Sequence, residues 1–166
     1  MTIKLSDIYS NYLHAKTRQF GRQDVLSIFW DSHKQYKYDI LQMLDSAIAD
    51  KDVEKLSFCI GASFRDGLDQ DYSDKIYKIM LDTWHEEHED LVDIIIILKD
   101  DRFCDSLLRI ALDQETYRKF DDENESTLRK CVHALKAINS KRSLDLLAKL
   151  IETENSNVQF ALEMYK

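Results

Sequence analysis

The chain has no proline and only three glycines, Gly21, Gly61 and Gly67, in 166 residues. That scarcity limits the fold more than any other feature. Tight hairpins draw on glycine for positive φ, and other turns draw on proline for a preset φ. A sheet or sandwich of this length would lack the turn chemistry it needs, whereas helices joined by short polar loops make no such demand. The chain is therefore predicted to be all-α. Its length and its 44% apolar content suit a single domain over 1–166, with a core that needs no disulfide or metal staple.

Apolar spacing divides the chain into about ten helices. The first is predicted over Asp7 to Phe20, with Ile8, Tyr9, Tyr12 and Leu13 on one side and Gly21 as its stop. The second starts near Gln23 and carries Val25, Leu26, Phe29 and Trp30. Ser32 to Tyr38 reads as a polar, aromatic turn. Ile40, Leu41, Leu44, Ala47 and Ile48 form the next stripe. Asp52 caps a helix that turns Val53, Leu56, Ile60 and Phe64 inward and ends before Gly67. Ile76, Ile79, Met80 and Trp84 then share a helix. Phe103, Leu107, Ile110 and Ala111 mark another, and a polar loop is predicted over Asp113 to Glu123. Leu128, Cys131, Val132, Leu135 and Ile138 follow, then Leu144, Leu147, Leu150 and Ile151. Val158, Ala161, Leu162 and Tyr165 close the series.

The stretch Trp84 to Asp101 holds the centre. Glu86, Glu87, Glu89, Asp90 and Asp93 crowd its front, and five apolar residues, Ile94 to Leu98, fill its back. Five consecutive apolar positions cover every face of a helix, so this one must be contacted from several sides. Thr83 and Glu86 stand at capping-box spacing, and acid in a first turn suits the positive end of the helix dipole. A buried helix with an acidic N-terminus at the surface is expected.

Charge is uneven along the chain. The overall net of −8 is concentrated between Asp66 and Glu125, where 19 Asp and Glu face 7 Lys and Arg. Such a field opposes nucleic acid and anionic membrane and attracts a basic partner.

The second half repeats itself. LKDDRFCDSLLRIAL (98–112) and LKAINSKRSLDLLAKLI (135–151) share a helix ending in Leu-Lys, a short polar turn with a basic residue, and an apolar helix. Aligning Leu107 with Leu146 and Ile76 with Leu107 gives spacings of about 31–39 residues, the range of two-helix repeats. The segment 129–165 resembles HEAT repeats, and the resemblance extends over about 73–166, although the turn proline and most of the Asp-Val-Arg capping signature are missing. Residues 1–70 read as a helical cap or as divergent repeats. The resemblance implies a stack of antiparallel helix pairs, an α-solenoid, whose second helices begin near Glu86, Asn124 and Ser156 and line a concave face. Stacking at about 10 Å would merge the two acid runs, HEEHEDLVD and FDDENE, into one ridge.

No catalytic constellation accompanies this pattern. His85 and His88 stand at i and i+3, one residue short of the zincin spacing. Asp82 and His85 lack the second copy that a di-iron bundle needs. His133 lies among apolar residues and reads as structural, and no strained Gly-Ser-Gly elbow is present. Cys59, Cys104 and Cys131 are far apart and read as buried free thiols in a reducing compartment. The first residues, MTIKLSDIYSNYLHAK, contain no apolar signal core, so a cytoplasmic location is expected.

Small, acidic, all-helical chains of this kind resemble immunity proteins of polymorphic toxin and contact-dependent growth inhibition systems. The resemblance implies a non-enzymatic, cofactor-free and metal-free inhibitor. It would act as a monomer or in a 1:1 complex with a cognate basic toxin domain, a nuclease, and would bind neither nucleic acid nor membrane. The expected contact residues are Glu86, Glu87, Glu89, Asp90, Asp93, Tyr117, Phe120, Asp121, Asp122, Glu123 and Glu125, with Tyr117 and Phe120 as loop anchors. Two alternatives share the architecture. One is a HEAT-like housekeeping adaptor. The other is a HEAT-like enzyme acting on nucleic acid, which the acidic helix starts disfavour.

Overall fold

The computed structural model describes residues 3–15 and 22–166, and among these every regular element is a helix. The expected stop at Gly21 and the last turn before it lie outside the described residues. Contacts divide the chain into two compact units, Met1–Leu68 and Asp69–Lys166, at a point where the sequence carries no linker. No described helix is long and apolar enough to cross a membrane.

The first unit holds α1 (Leu5–His14), α2 (Arg22–Phe29), α3 (Lys37–Asp50) and α4 (Val53–Asp66). α4 packs against the other three. Asp52 caps it, accepting from the Lys55 amide at 3.0 Å, and Gly67 ends it at φ 106°, a conformation that favours glycine. Two expectations fail here. Val53 and Phe64 point outward, because the buried stripe runs through Leu56, Phe58, Cys59, Ile60 and Ala62. Tyr36, expected in an exposed turn, is fully buried. Its amide donates to Asp66 Oδ1 at 2.8 Å and its hydroxyl to the Ile3 carbonyl at 3.1 Å, so the turn is tied down at both ends.

The second unit holds α5 (Ser73–Ile79), α6 (His88–Leu98), α7 (Cys104–Leu112), α8 (Gln114–Tyr117), α9 (Ser126–Ile138), α10 (Lys141–Ile151) and α11 (Ser156–Leu162). α9 is its centre and packs against α6, α7, α10 and α11. Contacts between neighbouring helices recur at nearly fixed offsets. Between α6 and α9, Glu89 meets Ser126 and Asp93 meets Lys130, both pairs 37 residues apart. Between α7 and α10, the Asp101 and Ser140 side chains are 39 apart and the Asp105–Arg142 pair 37 apart. Between α9 and α11, Glu125–Asn157 and His133–Tyr165 are each 32 apart. A constant offset means that the paired helices run in the same direction with their N-termini level, as in a two-helix repeat.

Burial follows most of the expected stripes. Phe103, Leu107, Ile110 and Ala111 are buried, as are Leu128, Cys131, Val132 and Leu135. In α10 the inward set is Leu146, Leu147 and Leu150, while Leu144 and Ile151 are 40% exposed. The five-residue apolar run of α6 buries Ile94, Ile95 and Leu98 and leaves Ile97 half exposed, so the helix is enclosed on most but not all sides. Tyr165 is also about half exposed. The cysteines are buried free thiols, and burial pushes those of Cys59 and Cys131 up to about 12.

Candidate functional site

The acidic helix start forms differently from the capping box expected at Thr83 and Glu86. α5 ends at Ile79, and α6 begins only at His88, with Glu87 as its N-cap residue. Trp84 therefore lies in the connecting turn, half-buried, its indole donating to Asp82 Oδ2 at 2.9 Å. Two buried histidines hold this turn. His85 Nε2 donates to the Ile79 carbonyl at 2.9 Å, while its Nδ1 accepts from the Glu87 amide at 3.2 Å. His88 Nε2 donates to the Asp82 carbonyl at 2.9 Å. The carbonyl each ring serves places a proton on its Nε2, and the Glu87 amide makes His85 Nδ1 the acceptor, so His85 is the neutral Nε2–H tautomer. Burial lowers the affinity of both for protons, and the adjacent His85 ring, 4.8 Å away, helps push His88 down to about 4.

From this turn the carboxylates emerge onto one face. Glu86 pairs with Lys119, and Glu89 and Asp93 share Lys130 at 2.9 and 2.6 Å. Burial disfavours the charged Lys130, but its hydrogen bonds to Asp93 and Glu89 outweigh that and raise its proton affinity. Asp90 is exposed and makes no ion pair. Its carboxyl is pushed upward, by desolvation first and then by Asp93 and Glu89, with Lys130 acting against them.

The segment before α9 is folded inward. Residues 113–123 are not one loop: Asp113 caps the short helix α8, accepting from the Thr116 amide at 3.0 Å. Tyr117, expected to be an exposed loop anchor, is 8% exposed and lies with its ring 5.1 Å from that of His88. Arg118 follows with only 5% exposure. Its guanidinium donates to the carbonyls of Ile110 and Ala111, in the last turn of α7, and to Asp121 and Glu125. Asp121 in turn accepts from the Thr127 amide and hydroxyl at 3.0 and 2.7 Å, capping α9 from outside the helix. Burial alone would raise the Asp121 carboxyl, but these bonds and Arg118 hold it below the usual carboxylate range. Glu125 is the N-cap residue at φ 46°. It accepts from Asn155 and Asn157 at the start of α11, both at 2.9 Å, and from Arg118 at 3.2 Å. Burial raises its carboxyl and these donors more than reverse the effect.

The starts of α6, α9 and α11 therefore stand side by side, as the repeat spacing implies, and the two acid runs do meet. The outward charge is smaller than the sequence suggests. Asp121 and Glu125 are internal ligands of Arg118 and of the two asparagines, and Glu86, Glu89 and Asp93 are bridged by lysines. Asp90, Asp122 and Glu123 remain exposed with no ion pair, and Phe120, two residues before Asp122, is 74% exposed. Sequence reading missed Arg118, Lys119 and Lys130. Lys130 was findable, since it lies one repeat period beyond Asp93 in a face otherwise rich in acid. Arg118 gives no such signal, because nothing in its neighbours announces that it is buried.

Among the described residues no group of three or more His, Cys, Asp or Glu side chains is arranged to hold a metal ion. His133 Nδ1 is bonded to the Tyr165 hydroxyl at 2.7 Å, a structural contact. In the first unit a groove of about 640 Å³ is lined by Lys4, Lys34 and Lys55. Lys34 is held by the Ile3 carbonyl and the Tyr36 ring, and Lys55 by Ser46, Asp50 and Asp52, so two of its three ammonium groups are already committed. Comparison with protein-family models, with curated proteins and with solved structures found no match.

Proposed function

We propose that this chain is a non-catalytic protein-binding module of the immunity type, which binds a basic toxin domain and blocks its nucleic-acid-binding face. The observation that carries this reading is Phe120. A large aromatic side chain, 74% exposed, comes just before the exposed Asp122 and Glu123 in sequence, in the segment that leads into α9 and meets the start of α6, where Asp90 is also exposed. An aromatic anchor inside a charged rim is the usual composition of a hot spot. The net negative field of residues 66–125 would draw in a partner that itself holds nucleic acid. In this reading the protein is a cytoplasmic monomer that forms a 1:1 complex, the HEAT-like stacking supplies the rigid face, and no cofactor or metal takes part.

The test is protection by the chain against the polypeptide encoded immediately upstream of it. Cells making that polypeptide should stop growing, and co-expression of this chain should restore growth. A variant carrying Asp90→Lys, Asp122→Lys, Glu123→Lys and Phe120→Ala should fold and fail to protect. These positions are better choices than Glu89 or Asp93, whose reversal would also break contacts to Lys130. Association of the purified pair should slow steeply between about 0.05 and 0.5 M salt, because the Debye length is about 10 Å at 0.1 M and steering speeds association by about 10–10³-fold. Full protection by the folded quadruple variant would remove the acidic face from the mechanism.

A further inference from the structure

The groove of about 640 Å³ in the first unit is built from three of its helices. Lys4, Leu5 and Ser6 line it at the start of α1, and Lys55 enters from α4. The contribution of α3 comes from Asp39, Gln42, Met43 and Ser46. These stand at i, i+3, i+4 and i+7, so the helix presents one continuous face to the space. Lys34 reaches it from the turn before α3. The volume falls within the range of about 300–1,000 Å³ in which proteins hold small organic ligands.

The charge of this lining is the reverse of that around α6. Three ammonium groups meet one carboxylate, that of the exposed Asp39. The bonds that hold Lys34 and Lys55 fix their ammonium groups without neutralising them. Lys34 donates to the neutral Ile3 carbonyl at 3.2 Å and lies over the Tyr36 ring. Lys55, only 20% exposed, donates to the neutral Ser46 hydroxyl at 3.1 Å. The carboxylates of Asp52 and Asp50 stand at 3.8 and 3.9 Å from it, beyond hydrogen-bond distance, so its charge is only partly offset. An ammonium carries three donors, and each of these keeps donors for a further acceptor. Lys4 is exposed and makes no ion pair. A mostly buried cation held by a neutral partner beside open space calls for an anion. The same lining includes Leu5 and the half-buried Met43, an apolar surface.

From three ammonium groups lining one groove, and the apolar surface they share it with, we infer that the first unit binds a phosphate monoester of a small organic molecule. Phosphate fits this lining better than carboxylate. Planar carboxylate recognition draws on the paired donors of arginine, and the lining has none. Separate ammonium groups act as point charges, each able to take one oxygen of a tetrahedral anion. Three lysines less one aspartate leave an excess of two positive charges in the lining, which a phosphate of about −1.5 to −2 at pH 7 matches. The organic body of the ligand covers Leu5 and Met43, while Ser6 and Gln42 offer neutral donors to its polar substituents. A long polyanion is disfavoured by the net charge of −8. This site is independent of the function proposed above.

The test titrates phenyl phosphate, inorganic phosphate, benzoate and benzyl alcohol into the whole chain while amide resonances are followed by NMR. Phenyl phosphate should bind with a Kd of about 1 mM or tighter and shift residues 4–6, 34, 39–46 and 55 first. Inorganic phosphate and benzoate should each bind at least about threefold more weakly, and benzyl alcohol not measurably. Lys34→Gln removes a charge but keeps a donor for the Ile3 carbonyl, and should weaken phenyl phosphate binding by about two- to fivefold. Lys4→Ala, at an exposed position, should weaken it by a similar factor. Asp39→Asn, also exposed, removes the opposing charge and should tighten binding by about two- to fivefold. If Lys34→Gln fails to fold, the two exposed variants decide. The absence of a saturable shift up to about 20 mM phenyl phosphate would overturn the inference. So would shifts centred outside the groove, or Lys4→Ala and Asp39→Asn variants that both bind like the parent. Benzoate or benzyl alcohol binding as tightly as phenyl phosphate would remove the phosphate from the site. Equal binding of inorganic and phenyl phosphate would remove the apolar surface, and with it the organic ligand.

Discussion

The acid that starts α6 and the acid that precedes α9 have the same charge and serve opposite purposes. Glu86, Glu89 and Asp93 lie along the surface and are bridged by lysines that are themselves partly exposed. Asp121 and Glu125 turn inward, where they neutralise the buried Arg118; besides the guanidinium, Asp121 accepts three hydrogen bonds from the start of α9 and Glu125 two from the asparagines at the start of α11. The difference is set by what each carboxylate can reach. At α6 the His85 ring accepts from the Glu87 amide and both histidines donate to carbonyls of the turn, so the carboxylates there bond to surface lysines rather than to the backbone. Ahead of α9 the Asp121 carboxylate itself accepts from the first backbone amides of the helix. Acid at a helix start is thus either a surface field or a structural cap, and only the second kind holds the fold together.

The largest test of that division is removal of a single carboxylate from each region. Asp121→Ala leaves Arg118 buried with only Glu125 opposite it and strips the Thr127 and Leu128 amides of their acceptor. Breaking a buried pair by deleting one partner costs about 3–5 kcal/mol. The loss in urea-unfolding free energy should approach that range. Glu86→Ala, which breaks the exposed pair with Lys119, should cost about 0–1 kcal/mol. Similar values for the two variants would erase the distinction.

A second test separates the regions by pH. His88 has its proton affinity lowered from 6.5 to about 4 in the folded chain, and His85 is lowered as well. Between those values the unfolded chain binds protons that the folded chain refuses, so stability is full above the unfolded value and falls as pH drops through this window. Allowing for residual solvent screening, His88 should account for about 2 kcal/mol of loss. Protonating His85 also requires its Nδ1 to give up the Glu87 amide at the head of α6. The carboxyls of Asp121 and Glu125 are held below their ordinary 3.8 and 4.5. Their contribution is present above those values and is lost only as pH falls below them. The stability curve should therefore descend in two stages, and His88→Gln, which keeps a donor for the Asp82 carbonyl, should flatten the first stage alone. A single descent below pH 4.5 that is unaffected by this substitution would show that the histidines do not govern the α6 end.

The all-α class was legible because it follows from missing glycine and proline, which act locally. The 37- to 39-residue offset between neighbouring helices was legible because apolar spacing survives in Leu107 and Leu146, both of which are buried. The level helix starts follow from that spacing, and so does the meeting of the two acid runs. What the sequence hides is direction at the level of single side chains. Tyr117, Arg118 and Asp121 sit within five residues of Phe120 and Asp122, and burial alternates among them because a four-residue helix ends there and the chain then doubles back over α7. No period describes such a turn. The start of α6 was misplaced for a related reason: Thr83 and Glu86 have the spacing of a capping box, but the Ile79 and Asp82 carbonyls are satisfied by His85 and His88, and that interaction lies outside any capping pattern.

The smallest expected effect is also the most specific, because its sign distinguishes the two regions. Asp90 has no cationic partner of its own, and its carboxyl is pushed up by desolvation and by Asp93 and Glu89, whereas those of Asp121 and Glu125 are pulled down. A raised folded affinity reverses the linkage. Near and just above the ordinary value of 3.8 the folded chain holds the Asp90 proton more tightly than the unfolded chain does, so this group stabilises as pH falls and opposes folding once it is ionised. Asp90→Asn should then relieve like-charge crowding by about 0.2–0.5 kcal/mol at neutral pH. Against this stands the loss of a negative charge in the first turn of α6, worth about 0.3–1 kcal/mol at an exposed site in low salt. The two nearly cancel at low ionic strength, and the net change at pH 7 should be about 0.5 kcal/mol or less in either direction. The pH dependence does not cancel. Relative to the parent, the Asp90→Asn variant should lose ground as pH falls from neutral toward 4, because the parent gains from protonating Asp90 and the variant cannot. Asp121→Asn should move the opposite way and gain on the parent over the acid range, since it has no carboxylate interaction left to lose. Unfolding curves for both variants at pH 7, 4 and 3 would read the two slopes directly. Slopes of the same sign would mean that both acid runs are structural, and would leave Asp122, Glu123 and Phe120 as the part of this face on which a basic partner could be held.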